Sequence, residues 1–190
     1  MNLKVFVCLL MLSSGCISNA MGQQNMADSG FTNKREARNK MVNRLKEGKW
    51  VEYWKNAYNT STNDTNAPYF TLTIYKAGVP TGIKRCYHKN RKLEWEVLYV
   101  HGKRNGMLKE YYETGKLEYE APYTDDRING IARQFYQTGL VDIEMPYTHD
   151  TLDGKQTEYF ENGNIMREIF YTKGKQGETR MYGENGIEVK

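Results

Sequence analysis

The chain has 190 residues, a formal net charge of +4 and 39% apolar residues, with 15 Tyr against 6 Phe and 3 Trp. That length holds one domain, with or without a tail, and the tyrosine-rich balance excludes a thick buried core, a polytopic membrane protein, a coiled coil, a disulfide scaffold and a wholly disordered chain. Seventeen Gly and four Pro point to many tight turns, and a charge this small implies no nucleic-acid partner by itself.

The chain opens with Lys4, an apolar run of eight residues from Val5 to Leu12, and the small residues Ser13, Ser14 and Gly15 before Cys16. This is the composition of an export signal, too short to span a bilayer stably. Its end resembles the lipobox of bacterial lipoproteins, with Ser13 where that pattern usually has Leu. The resemblance implies that residues 1–15 are a signal peptide and that Cys16 is the lipid attachment site. It places the protein on the bacterial cell envelope, facing the periplasm or the cell surface. Cleavage after Ser18-Asn19-Ala20 is the alternative and would give a soluble periplasmic or secreted protein. Cys8 would leave with the signal and Cys16 would be acylated, so Cys86 would stand alone without a disulfide.

Residues 16–30 are small and polar and read as a flexible, lipid-anchored tether. A basic amphipathic helix is predicted over residues 31–48. Asn33 and Glu36 form a capping-box pattern, Ala37, Met41, Val42 and Leu45 share a stripe, and Gly48 can end it.

From Tyr75 a repeat sets in. Tyr75, Tyr99, Tyr123, Tyr147 and Tyr171 are spaced by 24 residues, and Gly82, Gly106, Gly130 and Gly154 follow seven residues after the first four. Aromatic pairs recur at Tyr111-Tyr112, Phe135-Tyr136 and Tyr159-Phe160, with Tyr87-His88 in the first unit. Each unit reads as strand, turn, strand, turn. The second strand alternates: Leu93, Trp95, Val97 and Tyr99 are predicted on one face, with Glu94 and Glu96 on the other. Glu118 with Glu120 and Asp142 with Glu144 repeat the pattern. The repeat reaches back to Gly48–Trp54 and Tyr69–Tyr75, with a polar insertion near residues 57–68 predicted as a surface loop.

Tyr99, Gly102, Gly106, Tyr111, Tyr112 and Gly115, and again Tyr147, Gly154, Tyr159, Phe160 and Gly163, resemble the MORN-repeat family in the variant of the bacterial YwqK-type antitoxins. Asp126 and Asp150 stand where Gly102 sits, and the last unit is one residue short. The resemblance covers residues 48–190. It implies a mainly β fold, an elongated single-layer antiparallel sheet of successive hairpins with one N-terminal α-helix. It also implies a protein-binding role, most closely toxin neutralisation, with an envelope scaffold or a lipid-headgroup contact as the alternative. Tyr87, Tyr111, Phe135 and Tyr159 are the candidate binding aromatics, since such rings are rigid anchors.

Chemistry is sparse. His88, His101 and His149 lack metal-ligand spacing, and the carboxylate pairs recur with the repeat. No hydrolase, phosphate-loop or dinucleotide motif occurs, so no enzyme, cofactor, metal or small-molecule substrate is expected. Charge is segregated. Residues 31–68 carry eight Lys/Arg against four Asp/Glu, residues 76–109 nine against two, and residues 110–190 nine against sixteen. The expected partners are a protein, through the sheet, and a membrane, through the anchor.

Overall fold

Two-residue hairpin turns of type I′ need positive φ at both central positions. The chain supplies such pairs at Asn43-Arg44, Ala77-Gly78, His101-Gly102, Asp125-Asp126, His149-Asp150 and Lys173-Gly174, all with φ between +48° and +82°. The computed structural model describes residues 30–58 and 60–189. Cys16, the export signal and all but the last residue of the tether lie outside them.

The strands are β1 (Lys40–Val42), β2 (Leu45–Trp54), β3 (Ser61–Thr62), β4 (Tyr69–Lys76), β5 (Val79–His88) and β6 (Leu93–Val100). They continue with β7 (Lys103–Arg104), β8 (Gly106–Tyr111), β9 (Leu117–Thr124), β10 (Arg127–Ile128), β11 (Gly130–Phe135) and β12 (Val141–Thr148). The last are β13 (Thr151–Leu152), β14 (Gly154–Tyr159), β15 (Ile165–Thr172), β16 (Lys175–Tyr182) and β17 (Glu188–Val189). Each long strand pairs antiparallel with the next in chain order, giving one open sheet. Eleven strands have six residues or more, so the sheet is about 48 Å wide at the usual strand spacing. In the first hairpin Gly48 faces Tyr75, the register that Gly106 and Tyr123 take two units later.

The helix expected over residues 31–48 is not formed. Lys34–Glu36 make a single 3-10 turn, with Asn33 Oδ1 accepting from Arg35 N, and Ala37 is already extended. Asn39, Asn43 and Arg44 adopt positive φ, which no α-helix tolerates. Edge protection explains the difference. Asn39 lays its side-chain amide along β2, donating to Val51 O at 3.0 Å and accepting from Val51 N at 2.9 Å. Arg38 and Asn39 N–H both reach Lys49 O, β1 pairs with residues 45–47, and β3 pairs with Tyr53 and Trp54. The first edge of the sheet is therefore covered, and Met41, Val42 and Leu45 are exposed rather than core.

Strict alternation also breaks once per unit. Cys86 faces Trp95 but Tyr87 faces Leu93, leaving Glu94 as an extra residue. Glu118, Asp142 and Met166 are the equivalent β-bulges. Leu93 consequently packs with Phe70 and Tyr87, whereas Trp95 packs with Cys86 and Val97 in a separate cluster. The predicted acid pairs separate too: Asp142 accepts from Gln134, and Glu144 accepts from Arg133, the neighbour on the opposite face.

Both clusters lie in the N-terminal half. On the first face Phe31, fully buried, covers Phe70, Leu72 and Tyr87; burying that ring contributes on the order of 2–3 kcal/mol. On the second face the insertion folds back so that Ala57 covers Cys86, Trp95 and Val97. Beyond Val97 the only buried apolar residues among those described are Ala121, Ala132 and Ile169. The sheet is thus thick at one end and a single layer at the other.

Candidate binding surface

On the first face the repeat sets charges in cross-strand register. Arg85 faces Glu96, Glu96 faces Lys109, Lys109 faces Glu120, and Glu120 faces Arg133. Arg133 then faces Glu144, Glu144 faces Thr157, Thr157 faces Glu168, and Glu168 faces Arg180. Arg85 meets Glu96 at 3.0 Å, and Arg133 bridges Glu120 at 3.3 Å and Glu144 at 2.8 Å. Glu168 is buried and takes Lys155 and the Tyr182 hydroxyl. These bonds hold its carboxyl below the usual range, the Lys155 hydrogen bond contributing most.

The four candidate aromatics are the residues at which the bulges begin, and they border this ladder. Tyr111 and Tyr159 donate their hydroxyls to Glu96 and Glu144 at 2.9 and 3.2 Å. Burial and the Glu96 hydrogen bond push the Tyr111 phenol up to about 12. Phe135 is half-buried, and its carbonyl accepts the Tyr112 hydroxyl at 2.5 Å. The Tyr159 carbonyl accepts the Tyr136 hydroxyl in the same way at 2.6 Å. Tyr87 is buried against Phe70, with the two rings stacked at 5.3 Å. So the paired aromatics staple one unit to the next.

The second face holds a cleft of about 290 Å³. Trp54, Trp95, Val97, Tyr99 and Leu108 form its apolar walls, and Lys84 and Arg104 bring positive charge. The insertion closes one side. Trp95 Nε1 donates to Ala57 O at 2.9 Å, and Tyr58 stacks on the Trp95 ring at 6.3 Å. Glu110 lies beside Tyr58; burial, first, and that carboxylate push the phenol up, while burial raises Glu110 itself. Lys84 Nζ lies over Trp54 at 5.4 Å and Trp95 at 6.0 Å, and burial depresses its ammonium, partly offset by Glu52. Arg104 lies 4.2 Å over Tyr123 while its Nε pairs with Asp126 at 3.1 Å.

None of the four sequence-nominated aromatics lines this cleft. Its key members were hidden for two reasons. Lys84 falls at a strand position where a solvated lysine is ordinary, and Tyr58 sits at the rim of a polar insertion. The one available signal was Ala57-Tyr58, an apolar pair opening a loop whose next eight residues are Asn, Ser, Thr and Asp. Among the described residues no cluster of His, Cys, Asp and Glu is arranged for a metal ion. Nor is any helix there long and apolar enough to cross a membrane.

The chain is thus an open sheet of register-locked repeat hairpins with an aromatic, cation-bearing cleft on its second face. The family described as MORN repeat variant matches residues 104–125 and 152–173. These two segments hold the β8–β9 and β14–β15 hairpins, with the turns at Gly115 and Gly163 between their strands. No curated protein matches the sequence. Among solved structures, "Crystal Structure of TarM" aligns at 12% identity with a TM-score of 0.38, over 57% of this chain and 21% of that one. The chain thus spans about a fifth of that protein's length, and the overlap carries no functional argument.

Proposed function

We propose that this is a non-catalytic, exported repeat lipoprotein, anchored through Cys16, that binds another protein and neutralises it in an antitoxin or immunity-type role. The observation that carries the reading is the second face. Trp54, Trp95, Tyr58 and Tyr99 are held as rigid rings beside Lys84, on a sheet whose register the ladder fixes. Preorganised aromatic anchors bind with little ordering cost. The leader composition supports export, and the acidic C-terminal half supports a basic partner surface.

The test is affinity capture from envelope extract with the full chain, followed by expression of the captured protein alone. Recovery of one stoichiometric protein, toxic by itself and harmless with this chain, is the expected result. A captured protein that is harmless alone replaces neutralisation with an envelope-scaffold role. Recovery of no protein refutes protein binding. Incorporation of a lipid precursor into the wild type, lost in Cys16→Ala, is the expected result for the anchor; equal labelling of both excludes it.

A further inference from the structure

Among the described residues the cleft contains one cation, Lys84, that no carboxylate approaches to ion-pair distance. Glu110 lies beside Tyr58, Arg104 pairs with Asp126, and Glu52 with Lys46 and the Tyr75 hydroxyl. Lys84 makes no ion pair among the described residues: it sits over two indole rings, and Glu52 acts on it only from beyond ion-pair distance. An ammonium between two indoles has lost water without gaining a carboxylate, so an incoming anion meets a cation already stripped for it. Its neighbours Val97, Leu108 and Trp95 offer an apolar wall beside that point. A volume of about 290 Å³ lies at the small end of ligand sites, enough for one bulky side chain with its charge rather than a whole cofactor.

We propose that the cleft seats a carboxylate of the protein partner that has an apolar group next to it, the carboxylate on Lys84 and the apolar group against Trp95, Val97 and Leu108. This rests on the protein-binding reading and specifies the chemistry the partner presents.

The probe is 3-phenylpropionate, with 3-phenylpropionamide as its uncharged counterpart, titrated into the purified exported chain and followed by the indole N–H resonances. The acid binds with a dissociation constant on the order of 1 mM, and the amide about tenfold more weakly. In Lys84→Met, which keeps the stem and removes the charge, that preference disappears. Because the substitution deletes a poorly solvated ammonium, the variant melts at the same temperature as the wild type or higher. In the affinity capture, Lys84→Met weakens partner retention about tenfold or more. Equal binding of acid and amide by the wild type overturns the inference without reference to any variant. So does a preference that survives in a folded Lys84→Met, or partner retention that the variant leaves unchanged. If the acid binds through Lys84 while no protein is captured, protein binding fails. The partner's carboxylate then falls with it, leaving a site for a free carboxylate.

Discussion

Glu168→Gln isolates what the charge ladder contributes. Glu168 lies on β15 with 7% of its surface exposed, and it accepts hydrogen bonds from Lys155 and from Tyr182 at 2.9 Å. Glutamine keeps one oxygen for the tyrosine but turns a second donor toward the lysine. Two charge-assisted bonds are weakened, while Lys155, about half exposed, regains water. The net cost at neutral pH is about 2 kcal/mol, or about 4–8 °C in Tm for a chain of this size. The pH dependence has a fixed sign. A carboxyl held low when folded stabilises fully above its unfolded value near pH 4.3, and that stability fades as pH falls through the folded value. Wild type and variant therefore differ at pH 7 and converge toward pH 3.

Each hairpin touches only its neighbours, so the loss should show first in β15 and β16 rather than across the chain. Urea denaturation at pH 7 and pH 3, combined with hydrogen exchange of the β15 and β16 amides, reads both effects. An identical unfolding midpoint at pH 7, or a gap of equal size at pH 3, refutes the account of Glu168 as a paired, buried anion.

Three further outcomes are expected. Gly130 has φ +124°, and a Cβ there would sit 2.9 Å from the Pro122 ring, whereas Gly82 at +71° has nothing within 4 Å. In urea unfolding Gly130→Ala costs about 3 kcal/mol and Gly82→Ala about 1 kcal/mol. Cys86 is fully buried, and burial, with Glu94 adding to it, pushes its thiol up to about 12. A thiol-specific disulfide reagent at pH 8 therefore leaves it unlabelled in the folded protein and labels it in urea. Asn39→Ala removes both side-chain bonds to Val51 and places Ala at φ +45°. It lowers stability by about 2 kcal/mol and raises hydrogen exchange in β2, both measurable on the same sample.

The repeat was legible because its signal is redundant: a tyrosine, a glycine seven residues on, and an aromatic pair recur at one period through several units. Redundancy did not protect features that occur once. Asn33 and Glu36 promised a helix, and the local bond of Asn33 to Arg35 does form. What overrode the pattern was non-local. Phe31 reaches the cluster on β4, and Asn39 is needed at the edge of β2. The bulges were hidden for another reason. Leu93 and Trp95 satisfy a period of two in sequence, and only the register against Tyr87 and Cys86 reveals the extra residue between them. The cleft depended on where the insertion lands, a contact between Ala57 and Trp95 across 38 residues.

The ladder answers a problem that a single-layer sheet raises. A strand whose two faces are both wet has little to fix its register, and slippage of one residue sends every side chain to the other face. In β11 such a slip would remove Arg133 from between Glu120 and Glu144, and it would move Gly130 away from Pro122, the contact that leaves no room for a side chain. The bulge at Asp142 adds a second, independent stop. Exposed ion pairs contribute little energy one at a time, so their value here lies in agreeing with the bulges and turns about one alignment. Where covers exist, at Phe31 and Ala57, apolar packing adds to that task. That is the end of the sheet where the cleft sits, with Trp95 held by the insertion and Lys84 held between rings. The thick end can therefore tolerate Lys84 without an ion pair, because its alignment is held by the covers together with the Arg85–Glu96 pair on the opposite face.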